Sequence, residues 1–442
     1  VSLLLLALLI GGFGYLTVKR SAYSKERMTD FGVYTRAAWA VRVGINPYDV
    51  VDDRNWHYTY PPPFVLLMTP LADPPVGADR SGYLPFGVSV AIWYGLNVVF
   101  AAFAVHLLAL AVLPDARPFT RRWWYARLIP FDVCLLPIGY TLGRGQVNVL
   151  VLLMMAISFW GAVRRRSFVS GVWLAAAACV KVIPGLLVLF PLTRRRWREF
   201  LGVVAGAVLF LFVIPAAVWG PQGAIQMNEA FVKEVVFPGL TNQGSKSREQ
   251  ELIGTTRTDS QAFHAVIHAI RHPDRDTRPI NSDGVSKVIH YLIGLGMVGV
   301  TVWVFRPPLS WMRGGSTATP LTINPSPPRG EGSKWLLYFG CLGIIMIHLA
   351  PASHMHFYSF ALPLVCGLVS ENLQQHPERA TPTPLVLAGL IAWTLLTTIP
   401  LFDTDEVKKV TLMLRDFGIA VWATVGLWVW GIVRLSACSE PR

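Results

Sequence analysis

Residues 164–198 read RRRSFVSGVWLAAAACVKVIPGLLVLFPLTRRRWR. The apolar run 167–193 is flanked by arginine clusters at 164–166 and 194–198. Arginine-rich loops of membrane proteins stay on the cytoplasmic side. One helix through the run would leave its two clusters on opposite sides. Lys181 and Pro184 interrupt the run, and proline disrupts a helix interior. The stretch therefore predicts a re-entrant hairpin of two short helices that enters and leaves on the cytoplasmic side. Arms of about 12 residues, at 1.5 Å per residue, take the tip roughly 18 Å deep. Non-helical backbone at that depth is tolerated only when buried in protein or lining a cavity.

The rest of the chain supports a membrane setting. Of 442 residues, 53% are hydrophobic and 15% charged, with a mean hydropathy of +0.46. Soluble domains carry about a quarter charged residues, so an ordinary soluble enzyme and a disordered chain are both excluded. The apolar runs far exceed the ~10-residue alternating strands of a membrane β-barrel. About ten full spans are expected: 1–18, 84–113, 128–143, 147–163, 199–219, 287–305, 335–350, 357–370, 384–401 and 412–434. Residues 1–18 lack the basic leader and small-residue cleavage site of a signal peptide, and read as a first membrane helix. The net charge of +13 collects in short loops such as 114–127, with Arg117, Arg121, Arg122 and Arg127. That is a positive-inside pattern rather than a nucleic-acid stripe, and no nucleic-acid partner is expected. Cys134, Cys179, Cys341, Cys366 and Cys438 have no CxxC spacing and read as packing residues.

The loop charges fix an orientation with the N-terminus cytoplasmic. Residues 19–83 and 220–286 are then external, with the turns near 143–147 and 351–356 and the loop 402–411. Residues 60–72 (YPPPFVLLMTPLA) are too few to span and read as a partial insertion from the outer face. Amphipathic surface helices are expected at 29–43 and 222–236. The Pro/Gly/Ser-rich stretch 306–334 reads as a flexible cytoplasmic linker, and the whole of 1–442 as one membrane domain.

The polar residues of interest fall on the external side. Asp30 opens the first surface helix. It reads either as a helix-start partner or as a general base at the membrane boundary. The stretch 44–49 and Tyr60-Pro61-Pro62-Pro63 are turn chemistry, and Asp49, Asp52 and Asp53 read as solvated. Gln146 and Asn148 sit at an external turn, where two carboxamides suit a sugar hydroxyl or free helix-end groups. Arg144 beside them suits a phosphate. Lys181 lies alone in mid-run, where charge is costly and functional, and reads as a phosphate contact rather than a structural ion pair. His354 and His356 form an external HxH, a weak metal signal but a good pair of donors to a phosphate oxygen.

Three patterns are set aside. Gly294–Gly299 matches GxGxxG but lies in a membrane run with no preceding strand, so it reads as helix packing. Asp403-Thr404-Asp405 matches DxD without a nucleotide-binding domain. His264, His268 and His272 have the spacing of zinc ligands on a helix but lack a firm fourth ligand. No metal or other cofactor is expected.

In order along the chain, Asp30-x3-Tyr34, Gly44-x2-Pro47-Tyr48, Tyr60-Pro61-Pro62, Gly145-Gln146-x-Asn148, Lys181-x2-Pro184 and Pro351-x-Ser353-x2-His356 together resemble glycosyltransferase family 87. These are polyprenyl-phosphate-mannose-dependent mannosyltransferases of the GT-C superfamily. The resemblance implies an all-α polytopic GT-C fold and an inverting transfer of a hexose, mannose in the family, from a polyprenyl-phosphate carrier. The acceptor would be a lipid or glycan at the outer face of a bacterial cytoplasmic membrane. It implies Asp30 as catalytic base, His356, Lys181 and Arg144 around the donor phosphate, and Tyr34, Tyr60, Gln146, Asn148 and His354 along the substrate. The chain departs from the family at Ser353-His354-Met355-His356, where Ser-Trp-x-His-His is common. The family's Asn-Gln-Ser is matched only loosely, by Asp259-Ser260-Gln261 or Asn242-Gln243-Gly244-Ser245. A lipid-linked sugar flippase or other transporter is the competing class; it would place charges along several spans at mid-depth, where this chain has little beyond Asp132.

Overall fold

The computed structural model describes residues 2–23, 29–241, 260–305, 331–401 and 408–437. Among these the chain is helical throughout, with no strand and one isolated bridge, Val51 to His57. The expected linker 306–334 and the Asp403–Asp405 motif fall largely or wholly outside the described residues, as do Asn242–Ser245.

Among the described residues, five helical stretches are long and apolar enough to cross a membrane: Phe86–Val112, Trp197–Gly239, Gly284–Phe305, Gly332–Leu349 and Ile419–Ala437. Shorter apolar helices cover Pro62–Leu71, Asn148–Val163, Ser167–Val180, Ile183–Thr193 and Pro384–Thr398. Their surroundings sort them. Gly332–Leu349 is buried along most of its length and is the central helix. Trp197–Gly239 and Gly284–Phe305 instead present Val204, Val208, Phe212, Leu292, Leu295 and Trp303 outward. Apolar faces of this extent require a non-aqueous neighbour.

Several expected boundaries change. The run 128–143 is divided between the helices Arg121–Val133 and Leu135–Arg144, which meet at Cys134, and 357–370 begins within the 3₁₀ segment Met355–Ala361 before the helix Leu362–Gln375. The run 412–434 is divided: Lys408–Phe417 and Ile419–Ala437 are separate helices joined at Gly418, whose φ is +79°. Glycine is neutral in hydropathy, so the run reads straight through a residue that turns the backbone. Residues 199–219 and 222–236 are two helices, as expected, meeting end to end at a kink where Gly220 is non-helical (φ 74°, ψ 166°) ahead of Pro221.

The stretch 164–198 folds back on itself. Ser167–Val180 is helical, Lys181 is extended (φ −146°, ψ 121°), and Ile183–Val188 and Leu189–Thr193 return as short helices. Pro184 sits at the start of the returning arm, where a missing N–H is harmless. The following helix, Trp197–Val208, then runs parallel to Ser167–Val180. Phe168 lies against Gly202, and Val172 and Ala175 against Gly206. The approach is close enough that a Cβ on Gly171 would lie 1.9 Å from the carbonyl oxygen of Glu199. Arg196 Nη1 donates to the carbonyl of Ala162 at 2.8 Å, so both arginine clusters lie at one end. Lys181 lies at the other.

Candidate active site

The helix Thr29–Arg42, expected to lie on the surface as an amphipathic helix, has residues 33–38 buried without a break, together with Phe31 and Ala40, so it is packed on every side. Buried Arg36 fixes its height. It donates to the carbonyls of Asp73 and Val51, both at 3.3 Å, and pairs with Asp53 at 2.7 Å. Asp30 lies in the first turn, where the helix dipole favours a carboxylate. Its Oδ2 accepts from Arg144 Nε at 3.2 Å.

Residues 43–72 wrap an aromatic wall around Tyr34. The Tyr34 ring stands edge-on to Tyr60 (5.1 Å between centroids) and to Phe64 (4.8 Å). Tyr48 donates to the carbonyl of Tyr60 at 2.9 Å, and Tyr58 to that of Pro61 at 3.0 Å. The expectation of solvated aspartates fails for Asp52 alone; Asp53 stays exposed while it pairs with Arg36. Asp52 is buried and accepts from the N–H groups of Arg54 and Trp56, both at 2.9 Å. Both hold this wall in place. Asp49 is exposed and accepts from Asn46 at 3.1 Å.

The helix Leu135–Arg144 ends at Gly145, whose φ of 66° is the left-handed conformation that glycine adopts freely. Trp93 Nε1–H clamps the Gly145 carbonyl at 2.8 Å. The turn presents Gln146 and Asn148 inward. The hydroxyls of Tyr34 and Tyr60 and the Gln146 carboxamide oxygen form a triangle with sides of 2.9, 3.2 and 3.1 Å. Burial first, then the Asp30 charge, pushes the Tyr60 hydroxyl well above its usual pKa, so it stays a hydrogen-bond donor.

Asn148 bridges two further elements. Its Nδ2 donates to the carbonyl of His356 at 3.0 Å, and its Oδ1 accepts from Lys181 Nζ at 2.7 Å. Lys181 is buried; its ammonium also sits 4.0 Å over the Phe357 ring and 5.7 Å from the centre of Tyr60. No carboxylate among the described residues lies within ion-pair distance of it. Its direct contacts are a neutral amide and ring faces, while the Asp30 carboxylate acts on it electrostatically without touching it, so this buried cation has room for an anion in direct contact.

The His356 carbonyl also accepts from Ser359 Oγ at 2.7 Å, which fixes the residue. Its imidazole is buried with Nδ1 unpartnered. The ring is parallel to Tyr140 (7° between planes) and 5.6 Å from the ring of His354. Tyr140 in turn accepts from Arg144 Nη1 at 3.0 Å.

All nine residues singled out from the sequence (Asp30, Tyr34, Tyr60, Arg144, Gln146, Asn148, Lys181, His354 and His356) therefore join one connected cluster. It draws on the helix Thr29–Arg42, an aromatic loop, a helix-end turn, the hairpin tip and the segment 351–361. Tyr140, Phe357 and Trp93 were missed. Tyr140 lies four residues before Arg144, a spacing that puts both on one helix face; nothing local marks Trp93 or Phe357. His264, His268 and His272 lie outside the cluster, on the helix Phe263–Arg271.

Cation and hydrogen-bond donors thus converge opposite a carboxylate, inside a chain with several apolar membrane-length helices. That is the layout of a multi-pass membrane protein with a polar, charged cluster among its helices. Residues 58–320 match Glycosyltransferase family 87, more than half of the chain, and the chain belongs to this family. It is similar to an α-(1→3)-arabinofuranosyltransferase of Corynebacterium glutamicum, 24% identical over 205 residues, 44% of each chain. A polyprenol-phosphate-mannose-dependent α-(1→2)-phosphatidylinositol mannoside mannosyltransferase of Mycobacterium tuberculosis is 30% identical over 171 residues, 36% of this chain and 38% of that one. A protein of the same description from Mycolicibacterium smegmatis is 23% identical over 395 residues, 86% and 76% of the two chains. The chain thus spans less than half the length of the first two relatives. No solved structure matches it.

Proposed function

We propose that the protein transfers a hexose, mannose by analogy with the two mannosyltransferases, from a polyprenyl-phosphate carrier to a hydroxyl of a lipid or glycan acceptor, with inversion at C1. The observation that carries this is Lys181, a buried cation with an amide for partner, in one cluster with the carboxylate of Asp30. Asp30 takes the proton of the acceptor hydroxyl. The acceptor oxygen forms its bond to C1 as the bond from C1 to the phosphate oxygen breaks, and that electron pair leaves with the carrier phosphate. Lys181 and His356 meet the developing anion. Arg144, now paired with Asp30, gains the phosphate as a second partner. Tyr34, Tyr60, Gln146, Asn148 and His354 orient the sugar. These side chains supply the positive charge that a metal would otherwise bring.

In this reading the cluster faces the outside of a bacterial cytoplasmic membrane, because the arginine clusters lie at the opposite end of the hairpin. About ten spans and the hairpin then close the topology, and the carrier's polyprenyl tail lies along the partial insertion at 60–72. Membrane vesicles containing the protein, given radiolabelled polyprenyl-phosphate mannose and a lipid extract, should yield a labelled product. Absence of transfer with polyprenyl-phosphate sugars of every type supplied would overturn the reading.

A further inference from the structure

A second group of ligating side chains lies apart from the transfer cluster. On the helix Phe263–Arg271, His268 and the following His272 stand one turn apart, with ring centroids 4.6 Å from each other. Asp283 faces them from the loop that leads into Gly284–Phe305. Its Oδ2 lies 3.0 Å from His272 Nε2 and 3.7 Å from His268 Nδ1. The three ligand atoms all fall within 4.8 Å of one another. We propose that His268 Nδ1, His272 Nε2 and Asp283 Oδ2 bind a divalent transition metal, zinc by their chemistry, with water as fourth ligand.

Four features favour a built site over a chance cluster. His268 Nδ1 is fully buried, has no hydrogen-bond partner, and points at the carboxylate. Its other ring nitrogen, Nε2, lies 3.1 Å from the carbonyl of Pro279. Metal-bound histidines carry such an outer contact, which fixes the tautomer that frees Nδ1. The remaining Asp283 oxygen, Oδ1, accepts from Arg271 Nη1 at 2.5 Å and from the Ser286 N–H at 2.7 Å, so Oδ2 is aimed at the histidines. Finally, His272 and Asp283 are each about one-third exposed, which gives a metal access.

Two imidazoles and one carboxylate in an open tetrahedron suit Zn²⁺, which takes nitrogen and oxygen at about 2.0–2.2 Å. His264, on the same helix, is engaged elsewhere, by Ser282 Oγ at 3.1 Å and the Pro351 carbonyl at 2.5 Å.

A metal here would clip the loop 272–283 to its helix. Just before that helix, the N–H of Gln261 donates to the carbonyl of Ser353 at 2.5 Å, and Ser353 begins the segment that carries His354 and His356. The clip would therefore brace the transfer cluster without touching it, and it does not depend on the transfer reading.

The test is zinc binding by the full-length protein in detergent, carried on a tag free of histidine. After chelation and dialysis, titration with Zn²⁺ against a chromophoric competitor should give one tight site per chain. Cobalt substitution should give the visible absorption of a tetrahedral site. His272→Ala and Asp283→Asn, both at part-exposed positions, should each weaken binding at least tenfold, while His264→Ala leaves it unchanged. Thermal unfolding with and without zinc reports whether each variant is folded; zinc should raise the midpoint of the wild type and of His264→Ala only. A wild type without a stoichiometric site, or a His272→Ala variant that binds like wild type, would overturn the assignment.

Discussion

Two buried cations sit at opposite ends of the folded-back stretch 164–198, and their surroundings differ in kind. At the arginine end, Arg196 has a buried carboxylate, Glu199, 3.7 Å away, and a backbone carbonyl at 2.8 Å. Glu199 in turn accepts from Ser170 at 2.9 Å. Arg194 lies 3.4 Å over the Trp335 ring. That end is electrically closed. At the tip, Lys181 has the Asn148 amide and two aromatic faces. The protein tolerates the desolvation of both cations, but it gives only Arg196 a carboxylate in ion-pair contact, whereas Asp30 acts on Lys181 from across the cluster. Closed charge holds a fold together, whereas open charge is a binding site waiting for an anion.

The contrast predicts that damage at the two ends separates into chemistry and stability. The largest effect belongs to the group facing Lys181 across the cluster. Asp30→Asn should lower turnover about 10²–10⁴-fold, because an amide cannot take the acceptor proton. Donor binding should survive, since the carboxylate acts on the acceptor. If Asp30 only supports the start of its helix, Asn would serve about as well and turnover would stay near normal. Single-turnover transfer of radiolabelled sugar distinguishes the two.

At the closed end, Glu199→Ala should leave a buried guanidinium without its carboxylate. The expected loss is about 3–5 kcal/mol of stability, seen as a lower thermal midpoint in detergent. Donor affinity in the protein that remains folded should be unchanged. A large loss of donor affinity with a normal midpoint would erase the distinction between the ends.

Smaller effects are expected along the sugar path. Tyr34→Phe removes one corner of the Tyr34–Tyr60–Gln146 triangle and should raise KM several-fold, corresponding to about 0.5–1.5 kcal/mol for a neutral hydrogen bond. Topology gives a qualitative check. Single cysteines at positions 165 and 196 should be labelled from the cytoplasmic side alone, and external labelling of either would break the opposition between the ends.

How much of this was legible in the sequence follows from what each signal depends on. Lys181 stood out because a lone charge in an apolar run is conspicuous, and the hairpin followed from Arg164–Arg166 and Arg194–Arg198 needing the same side. The structure brings both clusters to one end, with Arg196 hydrogen-bonded to the carbonyl of Ala162. Asp30, Arg144, Gln146 and Asn148 were found because polar residues beside a membrane run are few. Their convergence was not visible, since it rests on Asn148 reaching both Lys181 and His356 across long chain separations. Hydropathy could not see the break at Gly418, because backbone conformation, rather than polarity, sets it. Asp52 was misjudged because an acidic residue in a turn looks solvated until its own turn is seen to fold the N–H groups of Arg54 and Trp56 onto it.

The central claim is that Lys181 is left without a carboxylate in direct contact to receive the carrier phosphate. Equilibrium binding of polyprenyl-phosphate mannose to the protein in lipid nanodiscs tests it most directly, with Lys181→Met retaining the length and packing of the side chain. A charge-assisted hydrogen bond of about 1.5–3 kcal/mol predicts donor affinity weakened roughly 10–100-fold, with the thermal midpoint equal to or above that of the wild type. Unchanged donor affinity in a folded Lys181→Met protein would contradict the account.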